Sequence, residues 1–406
     1  MQKALNRLII YCIIGAVLAG IVYFVVPEIL QNKYAFQTNP NRANVAGAVI
    51  DNSKENEIVA QNGEPTEHEV KVLTVSHVKT PEAVKSLYMT SWVAGTNSLR
   101  DNVLKIARTT EINSIVFDIK DYTGKIAYPV EDPELIAIGA SEKRIPNLRE
   151  FTNLLHKDNI YIIGRIAVFQ DPYFVGLHPE YAVKRASDKN AIWKDRKGIS
   201  WIDAGEPHVW DYIAKIARDA YAQGVDEIQF DYIRYPSDGN MKDIYYPVSE
   251  GKIKSDVLKS FFEFIHQNFN DKAPVTSVDL FGMVTTNTDD LGIGQNLENA
   301  LLNFDFVCPM VYPSHFPATW NGYKDPQSVP KEVIMASMGK AVERAKIIGV
   351  DPLKLRPWLQ YFGLYGARYT EKDIRAQIDG TYNVGLTSWM MWDPSNKYLV
   401  GGFLPK

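Results

Sequence analysis

The chain has 406 residues, 46% of them hydrophobic and 23% charged, so it can bury a large core and disorder can describe only part of it. Its formal net charge of −4 supplies no basic footprint, which sets nucleic-acid binding aside and suits a neutral or mildly polar substrate better. With only Cys12 and Cys308, and Cys12 inside an apolar run, a disulfide framework is excluded, and no CxxC or Cys/His cluster suggests zinc. No metal and no cofactor is expected.

Residues 1–7 carry Lys3 and Arg7, and residues 8–26 then run LIIYCIIGAVLAGIVYFVV without a charge. That is about the 20 residues needed to cross a bilayer as a helix. The basic residues before it, with Pro27 and Glu28 after it, predict a single-pass membrane protein with a cytoplasmic N-terminus and everything later outside. The alternative is a cleaved signal peptide, with Ala19 before Gly20 and a secreted product; the unbroken apolar character beyond Gly20 favours retention. Cys12 follows Ile10 and Tyr11, which speaks against a lipoprotein processing site. Residues 27–81 are polar and without sustained period, and read as an extracytoplasmic linker, with a short strand at 70–75 that could add to the edge of the domain that follows. The domain is set at 82–406.

From residue 86, β-branched and aromatic runs alternate with helix-period segments, the pattern of βα units and a parallel sheet. Eight strand-like runs are counted, at 87–92, 114–119, 160–169, 227–233, 274–281, 305–312, 356–362 and 386–392. Helices are expected at 98–109, 147–157, 207–223, 255–270, near Leu297, 331–348 and 370–379, with Pro207 in a first turn, Ser255 and Thr370 as N-caps, and Gly224, Gly349 and Gly380 after helix ends. An eighth helix has only residues 394–406 to form it. The fold class is therefore α/β, a (β/α)8 TIM barrel preceded by one transmembrane helix and a flexible linker. Cys308, within FVCPMVY, reads as a buried inert thiol.

Strands buried on both faces should be apolar throughout, so charges at their C-terminal ends demand an explanation. In SIVFDI, alternation puts Val116 and Asp118 on one face; in EIQFDYI it pairs Gln229 with Asp231, and in PVTSVDLF Ser277 with Asp279. These faces converge in the mouth of the barrel, where such barrels hold their active sites. Asp231 is the first catalytic candidate, with Arg234 following it as a charge that could hold it ionised. Asp279 is its expected partner, since glycosidic cleavage uses one carboxylate as nucleophile or base and one carboxylic acid with a raised pKa as proton donor. Asp118, near Lys120 and Asp121, is the reserve. Arg165, facing inward, could orient a carboxylate or a sugar hydroxyl. Trp92, Lys120, Tyr312, His315, Gln360, Trp389, Trp392 and Asp393 all fall at or near predicted strand ends and complete the expected substrate site. Aromatic faces stack on sugar rings, although plain core packing competes for each tryptophan.

The segments FDIKD with Gly124, GRIAVFQDP, VWDYIAKIARDAYAQGVDEIQFDYIRYP, VDLFG, DDLGIGQ, CPMVYPSHF and WMMWDPSNKY together resemble the bacterial glycosyl hydrolase domain family of cell-envelope proteins, over about residues 87–397. The resemblance implies a TIM barrel and a glycosidase, and carries Asp231 and Asp279 over as catalytic. More distantly, Asp226, Gln229 and Asp231 follow the DxxDxDxE spacing of chitinase-type barrels, but Ile233 stands where the catalytic Glu would be, which speaks against a substrate-assisted mechanism. The expected function is hydrolysis of a cell-surface or extracellular polysaccharide; the alternative is a non-catalytic glycan-binding or scaffold protein of the envelope. Metal-dependent deacetylation lacks a paired His/Asp ligand set. The partners expected are the polysaccharide and, through residues 8–26, the membrane; no nucleic acid is expected, and the sequence leaves the oligomeric state open.

Overall fold

The computed structural model describes residues 74–270, 272–364, 366 and 368–406. The expected span at 8–26, Cys12 and nearly all of the linker lie outside the described residues. Of the strand expected at 70–75, Thr74 and Val75 are in no strand and the rest lies outside them. Among the described residues no helix is long and apolar enough to cross a membrane.

Eight parallel strands close into a barrel: β1 (Lys85–Met89), β2 (Ser114–Lys120), β3 (Tyr161–Ala167), β4 (Glu227–Asp231), β5 (Val275–Phe281), β6 (Phe306–Met310), β7 (Trp358–Gln360) and β8 (Trp389–Trp392). Each pairs with the next in sequence, and β8 closes on β1 with Lys85 opposite Trp389. All eight expected runs are strands, though most are shorter than expected, because the chain leaves the ladder at the mouth to form loops. The clearest case is β1: Thr90 caps a short helix, Ser91–Gly95, by accepting from the Val93 amide, and so takes Trp92 out of the strand.

Around the barrel lie α1 (Asn97–Thr109), α2 (Leu148–His156), α3 (Pro207–Ala222), α4 (Lys254–Phe269), α5 (Leu297–Asn303), α6 (Pro330–Ile347) and α7 (Glu371–Asn383). Pro207 opens α3 and a reciprocal Thr370/Asp373 capping box opens α7. Two expectations need correcting. The residue before α4 is Ile253, with no side-chain cap, so Ser255 is already inside the helix. Gly380 is interior to α7, where a Cβ would press on the Lys331 carbonyl of α6; the left-handed residue after that helix is Gly385. The short helices Pro133–Ile138 and Pro172–Leu177, and a two-strand ladder of Lys184–Arg185 with Ile244–Tyr245, decorate the loops and were not legible in the periodicity. Among the described residues after β8 there is no α-helix; residues Val400–Gly402 make a 3₁₀ turn against α7, and the Leu404 carbonyl accepts from the Glu111 amide.

Two apolar layers result. One lies between sheet and helices and includes Leu87, Phe117, Phe230 and Val278; the other fills the barrel with Val84, Val116, Ile163, Cys308, Trp358 and Met390. Cys308 is buried and unbridged, and burial pushes its thiol pKa up. The N-terminal end of the barrel is sealed by the segment before β1. The Val78 amide donates to Asp226 Oδ1 at 2.9 Å, and Thr80 Oγ1 lies 3.0 Å from the Tyr161 hydroxyl, which donates to Glu227. Glu227 in turn pairs with Arg356 at 2.8 Å, both side chains fully buried. The opposite end, where the strand C-termini gather, is left as the mouth.

Candidate active site

Alternation along β2, β3, β4 and β5 points Asp118, Arg165, Asp231 and Asp279 into the mouth. The three aspartates converge on one guanidinium: Arg165 Nη1 donates to Asp118 at 2.8 Å, Nε to Asp279 at 3.3 Å, and Nη2 to Asp231. Among the described residues each carboxylate has one further donor. The Tyr88 hydroxyl reaches Asp118 at 2.5 Å, Trp358 Nε1 reaches Asp279 at 2.7 Å, and the Tyr232 amide reaches Asp231 at 2.6 Å. Asp118, Asp231 and Asp279 are only 6%, 5% and 1% exposed, so every remaining lone pair matters.

Burial, and then the neighbouring Asp231 carboxylate, hold the pKa of Asp279 well above the ordinary aspartate range, against the opposing pull of Arg165 and Trp358. Burial also raises Asp118, less far, with Arg165 and Tyr88 pulling the other way. Burial alone would weaken the charge of Arg165, but Asp231, Asp118 and Asp279 outweigh it and keep the guanidinium charged. The backbone is strained at the same place: Tyr232, directly after Asp231, has φ of 53°, in the left-handed region that a bulky residue rarely adopts. Such residues cost about 1–3 kcal/mol and gather at functional sites. Here the turn aims an amide at the Asp231 carboxylate.

A cavity of about 460 Å³ opens above this cluster, lined by Arg165, Asp231, Tyr232, Arg234, Phe281, Met283, Met310, Tyr312, His315, Phe316 and Trp392 among others. Trp392 and Tyr312 stack at 5.5 Å with 22° between their planes, and Phe362 meets Trp392 edge-on. Burial lowers the pKa of the His315 imidazole, whose Nδ1 is 3.0 Å from the Ser314 hydroxyl. The wall is therefore aromatic and the floor acidic, an arrangement able to stack a sugar ring above a carboxylate.

Of the residues expected here, Asp231, Arg165, Arg234, Tyr312, His315 and Trp392 line the cavity, while Asp279 and Asp118 reach it through Arg165. The others lie elsewhere. Lys120 is fully buried in an ion pair with Asp171 at 2.8 Å and donates to the Ala167 carbonyl; the register slips between Asp118 and Lys120, and this bulge turns Lys120 out of the barrel. Trp92 is 57% exposed on its short helix, beside Arg144. Trp389 has the opposite parity to Met390 and Trp392, so it faces the helix layer, stacks on Phe403 and donates to the Tyr382 hydroxyl. Gln360 is buried and holds a loop, accepting from the Ser314 amide and donating to the Phe362 carbonyl. Asp393 caps its own turn through Ser395 and the Lys397 amide. Arg234, expected to pair with Asp231, instead donates to the Tyr235 carbonyl and the Ser237 hydroxyl; Arg165 takes the carboxylate. Tyr232, Phe281, Met283 and Phe316 were not anticipated. Tyr232 and Phe281 carried readable signals, since Tyr232 follows Asp231 at a strand end and Phe281, the last residue of β5, shares the parity of Asp279; Met283 and Phe316 stand beyond strand ends, where period gives no guidance.

The model of the family described as "Putative glycosyl hydrolase domain" matches residues 86–398. No curated protein matches the chain. Among solved structures, the chain is similar to a hypothetical protein from Ruminiclostridium thermocellum, 32% identical over 51% of this chain and 98% of that one, with a TM-score of 0.44. It is also similar to the PgaB (BpsB) glycoside hydrolase domain from Bordetella bronchiseptica, 14% identical over 80% of this chain and 99% of that one, with a TM-score of 0.54, a likeness of fold.

Proposed function

This chain belongs to the glycosyl hydrolase domain family, and from that premise we propose that its barrel hydrolyses a glycosidic bond in a polysaccharide at the cell surface, with Asp231 as nucleophile or base and Asp279 as general acid. The observation that carries the reading is the pair itself: two carboxyl groups bridged by Arg165, one facing the cavity and the other held by burial and its neighbour well above the ordinary aspartate range. A carboxyl group with a raised pKa set beside a second carboxyl group is what a proton donor requires. Trp392 and Tyr312 supply the stacking wall for a sugar ring, and His315 and Arg165 offer hydrogen bonds to its hydroxyls. Asp118, tied to Tyr88 and Arg165, fixes the guanidinium between the other two.

We further propose that residues 8–26 anchor the protein in the membrane with residues 1–7 in the cytoplasm, that residues 27–81 give the barrel reach, and that residues 82–406 work outside the cell. The uncharged run and the basic residues before it support this reading.

One observation favours a second reading, a glycan-binding protein without turnover: Asp279 is not among the cavity-lining residues. Reducing-end release from envelope polysaccharide and exopolysaccharide separates the two. Asp231→Asn and Asp279→Asn in the full chain should each lower the rate by at least about 10²-fold while the thermal midpoint moves little. Equal rates in wild type and variants would refute the assignment, and tight binding without release from any glycan would establish the second reading.

A further inference from the structure

Arg234 differs from the other arginines set inside the fold. Arg144, Arg165, Arg344 and Arg356 each hold at least one carboxylate. Arg234 holds none within ion-pair distance among the described residues. Its guanidinium sits in an aromatic frame, 4.8 Å from the ring centres of Trp201 and Phe281 and 5.6 Å from that of Tyr232. Only Nη1 is engaged, with the Tyr235 carbonyl and the Ser237 hydroxyl, each at 3.1 Å. The Nε and Nη2 hydrogens, which form one edge of the planar fork, have no partner among the described residues, and the side chain lines the cavity. Burial lowers the pKa of this group and outweighs the more distant pull of Asp231, Tyr232, Asp238 and Asp195, none of which forms an ion pair with it, so the guanidinium is left without a direct carboxylate partner.

A guanidinium framed by aromatic rings, anchored through one nitrogen and open along the opposite edge, is preorganised for a planar oxyanion that takes two parallel hydrogen bonds. The mouth's other cation is not available for that purpose, because Arg165 is already divided among three aspartates. An anion close to Asp231 would meet repulsion, whereas the Arg234 and Phe281 side of the cavity offers a guanidinium edge without an ion-pair partner. We infer that Arg234 forms a subsite for a carboxylate-bearing sugar, a uronic acid or a carboxyl-substituted residue next to the bond placed over Asp231. This rests on the glycosidase reading and deepens it to an acidic polysaccharide.

The test is binding first and turnover second, so that the two readings fail separately. Full-length protein carrying Asp231→Asn, purified in mild detergent, is titrated calorimetrically with three sets of oligosaccharides of matched linkage: uronides, their carboxyl-reduced neutral forms, and phosphate-substituted forms. The expected result is at least a tenfold preference for uronides over reduced forms, weakening as salt rises from about 50 to 500 mM because the charge on this wall is only partly shielded from solvent. Adding Arg234→Gln should collapse that ratio toward one, and Arg234→Lys, which keeps the charge but loses the fork, should restore it only in part. No preference in the protein with Arg234 intact overturns the inference, even if Arg234→Gln fails to fold. A stronger preference for the phosphate-substituted set overturns the carboxylate assignment. Uronide preference without hydrolysis by wild type would leave the subsite standing and the glycosidase reading refuted; hydrolysis of neutral glycans with no preference would do the reverse.

Discussion

Arg165→Met tests the electrostatic logic of the mouth most directly. Methionine roughly preserves the length of the stem and removes the one cation shared by Asp118, Asp231 and Asp279, which are 6%, 5% and 1% exposed. Breaking a buried pair by removing one partner costs about 3–5 kcal/mol, because the charge left behind cannot be rehydrated. The cost will not triple, since the aspartates are coupled and can shed charge by binding protons, each unit of pKa shift being worth about 1.4 kcal/mol. The sign with pH follows. In the wild type the folded-state pKa of Asp279 is already raised, so its proton favours the folded state below the unfolded value, and that contribution is lost as pH rises through the raised value. Without Arg165, Asp118 and Asp279 move further the same way. The variant should therefore lose about 3–5 kcal/mol at pH 8 and clearly less at pH 5, read from urea midpoints of the full chain by tryptophan fluorescence. A loss below about 1 kcal/mol at pH 8, or one that does not change with pH, would show that Arg165 is not what makes three buried carboxylates tolerable.

If Asp279 is the proton donor, activity falls as pH rises through its raised pKa; Trp358→Phe, which removes a hydrogen bond that lowers this pKa, should move that limb to higher pH, and a rate profile with a fixed or lowered limb would contradict the role. Arg356→Met should cost about 3–5 kcal/mol by orphaning Glu227, and adding Glu227→Gln should recover part of it in a double-mutant cycle; strict additivity of the two losses would deny the coupling. Gly124→Ala should destabilise by more than about 1 kcal/mol, because φ is +78° and a Cβ would overlap Asp171 Oδ1, disturbing the Lys120 pair; an unchanged melting midpoint would show that this loop yields freely. Trp392→Ala should raise KM by about tenfold or more with a smaller change in kcat, taking loss of one stacking face at about 1–2 kcal/mol; an unaltered KM would remove the tryptophan from the binding wall.

The barrel was legible because a strand buried on both faces must be apolar nearly throughout, and eight such runs stand out between segments of helical period. The acidic mouth was legible for the same reason: Asp118, Asp231 and Asp279 break that rule at corresponding heights on β2, β4 and β5. What period could not foresee was local slippage. Lys120 shares the parity of Asp118, and only the bulge between them sends it to Asp171. Trp389 could have been placed correctly, since it and Trp392 are an odd number of residues apart and must face opposite sides. The partner of Asp231 was read from sequence proximity as Arg234, whereas the barrel brings Arg165 to it across the β3–β4 ladder, where Ala167 is opposite Asp231. Gln360 and Asp393 were polar residues at strand ends whose backbone neighbours claimed them first, which is the commoner fate of such side chains.

The segment before β1 has a mechanical meaning. Asp226 receives the Val78 amide and lies 3.3 Å from His77 and 2.9 Å from His156, while Thr80 is fastened to Tyr161, so the polypeptide joins the barrel at the pole remote from the cavity. A force pulling along the chain from residue 74 would be borne by this clamp and by the α2 and β4 ends it grips, leaving the loops that frame the mouth unloaded. The residues of this clamp and the residues that line the cavity are separate sets at opposite ends of the barrel, so a load entering at residue 74 would not pass through the cavity wall.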